Sequence, residues 1–224
     1  MTRTAGKRSK SPSPWRVPAL LIALSVIPIV GGAARVGELA GNPAVTEENA
    51  RFVAAPIPVV LHIVGASLWS LLGAFQTSPA VRRRNPGWHR KTGRVLAPLG
   101  LIVAFTGLWM TCFYPRAAFD GPLVDLFRFA AGSAMAISIG LGISAIRRRD
   151  VFAHGAWMIR GYAIGLGAGT QVLTHIPWFL FPGIQGELSR ALCMGAGWAI
   201  NVAVAEWIIH RRSFLRAPSP LAIR

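Results

Sequence analysis

Residues 56–114 read PIPVVLHIVGASLWSLLGAFQ (56–76), TSPAVRRRNPGWHRKTGR (77–94) and VLAPLGLIVAFTGLWMTCFY (95–114). Two apolar blocks of about 20 residues each flank a short, strongly basic turn. At 1.5 Å per residue, such a block crosses a hydrocarbon layer of about 30 Å as a helix. A soluble domain has no need of uninterrupted apolar runs of this length.

The same pattern repeats outward from this hairpin. Apolar blocks occupy about 17–36, 56–76, 94–114, 123–146, 157–180 and 190–210. The expected fold is therefore an all-α polytopic membrane bundle of about six transmembrane helices spanning 17–210, between a basic, disordered tail at 1–16 and a basic tail at 211–224. The segment after the first block, 37–54, is a polar loop with a Gly-Asn-Pro turn at 41–43. Pro28 lies inside the first block, and Gly-Gly-Ala-Ala at 31–34 leaves open a cleaved signal peptide in place of a retained helix.

Charge sets the expected orientation. The two tails and the segments 77–94 and 147–160, with Glu206, carry 19 Lys/Arg and 2 acids. The remaining segments carry 5 Lys/Arg and 6 acids, which completes the totals of 24 and 8. An excess of cations marks the cytoplasmic side, so both termini are expected there, in a bacterial cytoplasmic membrane. The net charge of +16 lies in short loops and tails. No recognition helix, zinc-finger spacing or aromatic-basic platform accompanies it, which favours anionic lipid headgroups over nucleic acid as the partner.

Five histidines carry most of the chemical potential. His62 and His175 fall in the outer half of the membrane, His89 and His154 at the cytoplasmic interface, and His210 at the end of the last block. Histidines at matched depth on two helices suit the two faces of a haem iron, so His62 with His175, and His89 with His154, are candidate haem b ligands. Close helix packing explains the neighbouring glycines (Gly65, and Gly165, Gly167 and Gly169) equally well. No metal cluster beyond such an iron is indicated.

Arg94, Arg160, Glu206 and Gln76 form a candidate polar site, with Glu206 paired to Arg160 or Arg94, or handling protons. Asp125 and Arg128 stand i, i+3 and can pair with each other. Asn201 and Gln171 are placed to hydrogen-bond between helices. Cys112 and Cys193, at the outer face, are either a disulfide or two free thiols. Arg82–Arg84 and Arg147–Arg149, each followed by four residues and then His89 or His154, suggest a duplicated two-helix unit, although two arginine-rich cytoplasmic loops need no duplication. The Gly-x-Gly-x-Gly at 165–169 lies in an apolar block with no strand before it and is not a dinucleotide fingerprint.

Three motifs carry a family resemblance: LHIVGASLWSLLGAFQ with His62, Gly65, Gly73 and Gln76; HRKTGR with His89, Arg90, Gly93 and Arg94; and HGAWMIR with His154, Trp157, Met158 and Arg160. In their order and spacing, over about residues 58–210, the chain resembles the bacterial membrane proteins grouped as domain of unknown function 2306. The resemblance implies a polytopic membrane protein of unassigned function, with His62, His89, Arg94, His154 and Arg160 in the family pattern and His175 outside it. The histidine layout is also similar to that of two-haem, ascorbate-reducing membrane cytochromes. Three functions stay open: a haem b electron carrier, a transporter or small-ligand binder without a redox centre, and a non-catalytic membrane subunit. No reaction is assigned.

Overall fold

A computed structural model describes residues 13 and 15–214. The two tails otherwise lie outside the described residues. Those described are all helical, with no strand: α1 (Arg16–Ala40), α2 (Ala50–Ala54), α3 (Pro56–Gln76), α4 (Pro79–Arg84), α5 (Pro86–Phe113), α6 (Pro122–Arg147), α7 (Val151–Gly165), α8 (Gly167–Thr174), α9 (Ile176–Leu180) and, after a short 3-10 turn, α10 (Glu187–Phe214). Five of them, α1, α3, α5, α6 and α10, are long and apolar enough to cross a membrane.

The expected continuous helix at 157–180 is the main correction. That stretch is divided at Leu166 and His175 into α7, α8 and α9, and it begins earlier, at Val151. The early start follows from Asp150, whose carboxylate accepts from the Ala153 N–H at 2.9 Å and caps the helix. At Leu166 the ladder tightens, with the Gly169 N–H reaching back only three residues to the Leu166 carbonyl at 3.0 Å. Near His175, Pro177 offers no N–H to the preceding turn.

Other boundaries move for similar local reasons. The basic segment 77–94 is not a plain loop. It holds α4 and the first turns of α5, each opened by a proline at the first helical position, where no N–H is needed. The polar segment 37–54 contains the end of α1 and all of α2.

Helix α3 packs on α5 and α1, α5 on α6, α6 on α7, and α10 on α7 and α8. Many large apolar side chains face outward, among them Leu20, Ile27, Ile137 and Trp207. An outward apolar surface suits lipid, and it removes the usual driving force for helix association, leaving close packing to hold the bundle.

That packing centres on Trp69, 2% exposed. Its six-membered ring fills the space over Gly100 and its indole Nε1 lies against Gly165, where an added Cβ would come within 2.5 Å of it. Tyr162, whose hydroxyl donates to the Ser70 carbonyl at 2.8 Å, occupies the space over Gly73. Leu96, Val103, Met135 and Ile139 complete the core. Gly167 leaves room for Trp198, and Gly169 for the backbone of α1 at Leu24. In this structure the three glycines at 165–169 accommodate two tryptophans and a neighbouring helix.

Trp69→Ala should cost roughly 3–5 kcal/mol, the usual range for emptying a large aromatic site. The thermal midpoint in detergent should fall clearly, while Trp207→Ala, at an exposed position, should leave it nearly unchanged.

Candidate functional site

Between α3, α5, α6, α8 and α10 lies a cavity of about 360 Å³. His62 on α3 faces it, as do Thr111 on α5, Met135 on α6, Gln171 on α8 and Trp198 on α10. Its interior is otherwise built mainly from small apolar residues such as Ala66, Ala104, Gly107 and Ala131. Its mouth, at the end of the bundle carrying the α5–α6 connection, is lined by Arg51, Tyr114, Arg116, Asp125 and Arg128.

His62 is held from α5. Its Nδ1 lies 3.0 Å from the Val103 carbonyl and 3.1 Å from the Thr106 hydroxyl. A carbonyl can only accept, so Nδ1 carries the proton, and in the neutral ring Nε2 is a bare acceptor. Nε2 has no hydrogen-bond partner among the described residues. Gly107 leaves the space the ring projects into, since a Cβ there would meet His62 Cε1 at 3.3 Å.

His175 has the same tautomer through a contact of its Nδ1 with the Gln171 carbonyl at 2.8 Å. It does not line the cavity that His62 faces. It is buried beside Trp178 and Phe179, with ring centroids 6.4 and 6.3 Å away. At the opposite end of the bundle, His154 Nδ1 donates to the Gly142 carbonyl at 2.9 Å. His89 is close enough to His154 for the two to interact electrostatically, and its buried Nδ1 has no partner among the described residues. His210 is exposed.

The polar residues sort into clear pairs. Arg160 grips Glu206 with both ends of its guanidinium, Nη2 to Oε2 at 2.8 Å and Nε to Oε1, and stacks on Trp157 at 4.5 Å. Arg94 is exposed and makes no ion pair among the described residues. Gln76 Nε2 is buried without a partner among them. Asn201 ties α10 to α7 and α8, accepting from Thr170 at 2.7 Å and donating to the Ala163 carbonyl at 3.0 Å. Gln171 donates to the Met194 carbonyl at 3.2 Å. Cys112 and Cys193 are free thiols.

Sequence reasoning missed the charge hub beside the mouth. Asp120, whose side chain is fully buried, accepts from Arg190 Nε and stands 2.8 Å from Arg128 Nη1. Asp125 pairs with Arg116 at 2.8 Å and more loosely with Arg128 at 3.9 Å. In the sequence, Asp120-Gly121 reads as an ordinary turn, and only the tertiary fold brings Arg190 to it from 70 residues away.

Burial pushes the Asp120 carboxyl up, but the hydrogen bonds and charges of Arg190 and Arg128 outweigh it and hold the group below the usual carboxylate range. A carboxyl depressed on folding contributes stability above its unfolded value and loses it as pH falls through the folded one. Acid melts of the wild type should therefore show a loss of stability below about pH 4 that is reduced in Asp120→Asn. At neutral pH that variant should be less stable by roughly 2–4 kcal/mol, because two arginines lose a buried partner.

No curated protein and no solved structure matches the chain. Its sequence does match, over residues 59–209, the family described as predicted membrane protein (DUF2306). The match takes in His62, His89, Arg94, His154, Arg160 and Glu206, and it covers α3 through nearly all of α10. The chain belongs to this family of membrane proteins.

Proposed function

We propose that this protein is a membrane-embedded small-ligand binder whose site is the cavity under His62. The observation that carries the reading is the cavity itself. Its volume of about 360 Å³ lies in the range of small-molecule sites, and its apolar wall holds a few convergent polar groups. His62 Nε2 supplies an acceptor, as does the Thr111 hydroxyl, whose proton goes to the Gly107 carbonyl at 2.9 Å, while the Gln171 amide can donate or accept.

The topology that goes with this reading has six crossings and both termini in the cytoplasm of a bacterial cell. The run α7–α9 covers 30 residues from Val151 to Leu180, about 45 Å at helical rise, and supplies a sixth crossing beside the five long helices. The cavity mouth then faces outward. The arginine-rich turns at 82–84 and 147–149 lie among the anionic headgroups of the cytoplasmic leaflet. Single cysteines in a Cys112→Ser, Cys193→Ser background test this. Ala118→Cys should react with a membrane-impermeant maleimide on intact cells, and Gly87→Cys only after permeabilisation. The reverse pattern turns the protein over.

Binding is tested by what leaves the membrane with the protein. Denaturing extracts of wild type, purified in mild detergent, should contain a small molecule in near-stoichiometric amount by mass spectrometry. It should be missing from Ala66→Phe, which fills the cavity wall. Identical extracts from the two would remove the reading.

A second reading, a haem b electron carrier, is supported by the shared tautomer of His62, His154 and His175. A histidine that donates Nδ1–H to a backbone carbonyl and leaves Nε2 bare is arranged as haem-ligating histidines are. His89 and His154 are also near each other. A Soret band with sharp reduced α-bands, abolished in His154→Ala, is the outcome this reading expects. A featureless visible spectrum from protein expressed with ample haem rejects it.

A further inference from the structure

Arginine outnumbers carboxylate at the mouth of the cavity, and the pairing leaves one cation over. Arg116 is taken by Asp125, and Arg128 and Arg190 by Asp120. Arg51 has no carboxylate within 4.0 Å among the described residues. Its Nη1 donates to the Pro115 carbonyl at 3.2 Å, and its guanidinium lies over the Phe52 ring at 4.6 Å. Arg35 also lies over the Phe52 ring, at 4.8 Å, but is paired with Glu38. Burial lowers the Arg51 pKa, Asp120 raises it, and Arg128, Arg35 and Arg190 lower it again. A half-buried guanidinium in such a field attracts an anion, and its planar fork matches a carboxylate.

A second apolar space, of about 580 Å³, adjoins the cavity. It lies between α6 and α10 and shares Ala131, Ile164 and Trp198 with the first. Every residue lining it is apolar, most of them alanine or glycine. Leu192 and Val202 on its wall are exposed at the surface, 57% and 37%, so the groove reaches the lipid-facing side. A cationic mouth, an apolar chamber and a groove that opens sideways fit one kind of molecule.

We propose that the ligand is a single-chain amphiphile with a carboxylate head, a long-chain fatty acid anion, bound head-first at Arg51 with its alkyl chain along the α6–α10 groove. The inference rests on the small-ligand reading above and adds the ligand's class. One uncommitted guanidinium calls for one singly charged, planar head. One apolar groove adjoining the cavity calls for one chain. Arg51 sets the head's place, and the small side chains of α6 and α10 let the tail enter from the bilayer without passing through water.

The test uses the full-length protein in nanodiscs of zwitterionic phosphatidylcholine, with tritiated palmitate as probe and empty discs subtracted. Palmitate should bind saturably at one site per protein. Arg51→Gln should weaken it by roughly ten- to a hundredfold, as for loss of a charge-assisted pair, and Arg51→Lys by less. Hexadecanol should compete poorly. If hexadecanol competes as well as palmitate, or if Arg51→Gln binds normally, recognition of the anionic head is wrong while the cavity reading survives. If phosphatidylglycerol in the discs displaces palmitate at equal mole fraction, the head is a phosphate and the assignment falls. If palmitate does not bind, yet wild-type extracts contain a small molecule absent from Ala66→Phe, the cavity takes a different ligand. If both are negative, the small-ligand reading falls as well.

Discussion

The whole bundle depends on how closely its helices can approach Trp69. In lipid, an apolar side chain gains little by leaving its surroundings for another helix, so association must come from dispersion contacts and a few polar bonds. Dispersion falls off steeply with distance, and a gap of even half an ångström forfeits much of it. Glycine at 100 and 165 lets α5 and α7 close on the two sides of the indole, and glycine at 73 lets the Tyr162 ring reach α3. Two helices, α5 and α7, are thus set against α3, and α6 follows through Met135 and Ile139. The cavity lies where small residues, Ala66, Ala104, Gly107 and Ala131, line the space between the same helices.

The architecture was legible because the bilayer imposes it. Long apolar blocks, basic turns and their alternation are direct consequences of the cost of exposing backbone and charge to hydrocarbon. The broken helix at 151–180 was not legible from hydropathy, since the breaks are local turns of ψ to 0° at Leu166 and −5° at His175 within a predominantly apolar stretch. The helices α4 and the start of α5 were hidden for the opposite reason. They are polar, and their signals were prolines at 79 and 86, which read equally as loop residues and as helix starts.

The candidate site was legible residue by residue but not as a site. That Glu206 needs a cationic partner followed from depth, but depth left Arg160 and Arg94 equal, and only the packing of α7 on α10 gives the carboxylate to Arg160. Asp125 with Arg128 followed from spacing, yet the stronger partners turned out to be Arg116 and Asp120, from outside the helix. Arg51 carried no signal at all in the sequence. It was one arginine in a polar connecting segment. It stands out only once Asp120, Asp125 and Glu38 have taken the other arginines around it.

The histidines show why a residue type alone does not name a function. A neutral imidazole placed in an apolar bundle must give its one N–H to something, and the nearest acceptors are helix carbonyls, each with a second lone pair to spare. Val103, Gly142 and Gln171 provide such carbonyls, and His62, His154 and His175 share one tautomer as a result. The shared tautomer is therefore a requirement of burial before it is a sign of chemistry. What separates the three is what their bare nitrogens can meet. His175 is packed among aromatic rings, whereas His62 faces a chamber large enough for a molecule. Access, not protonation, makes His62 the histidine on which a ligand can act.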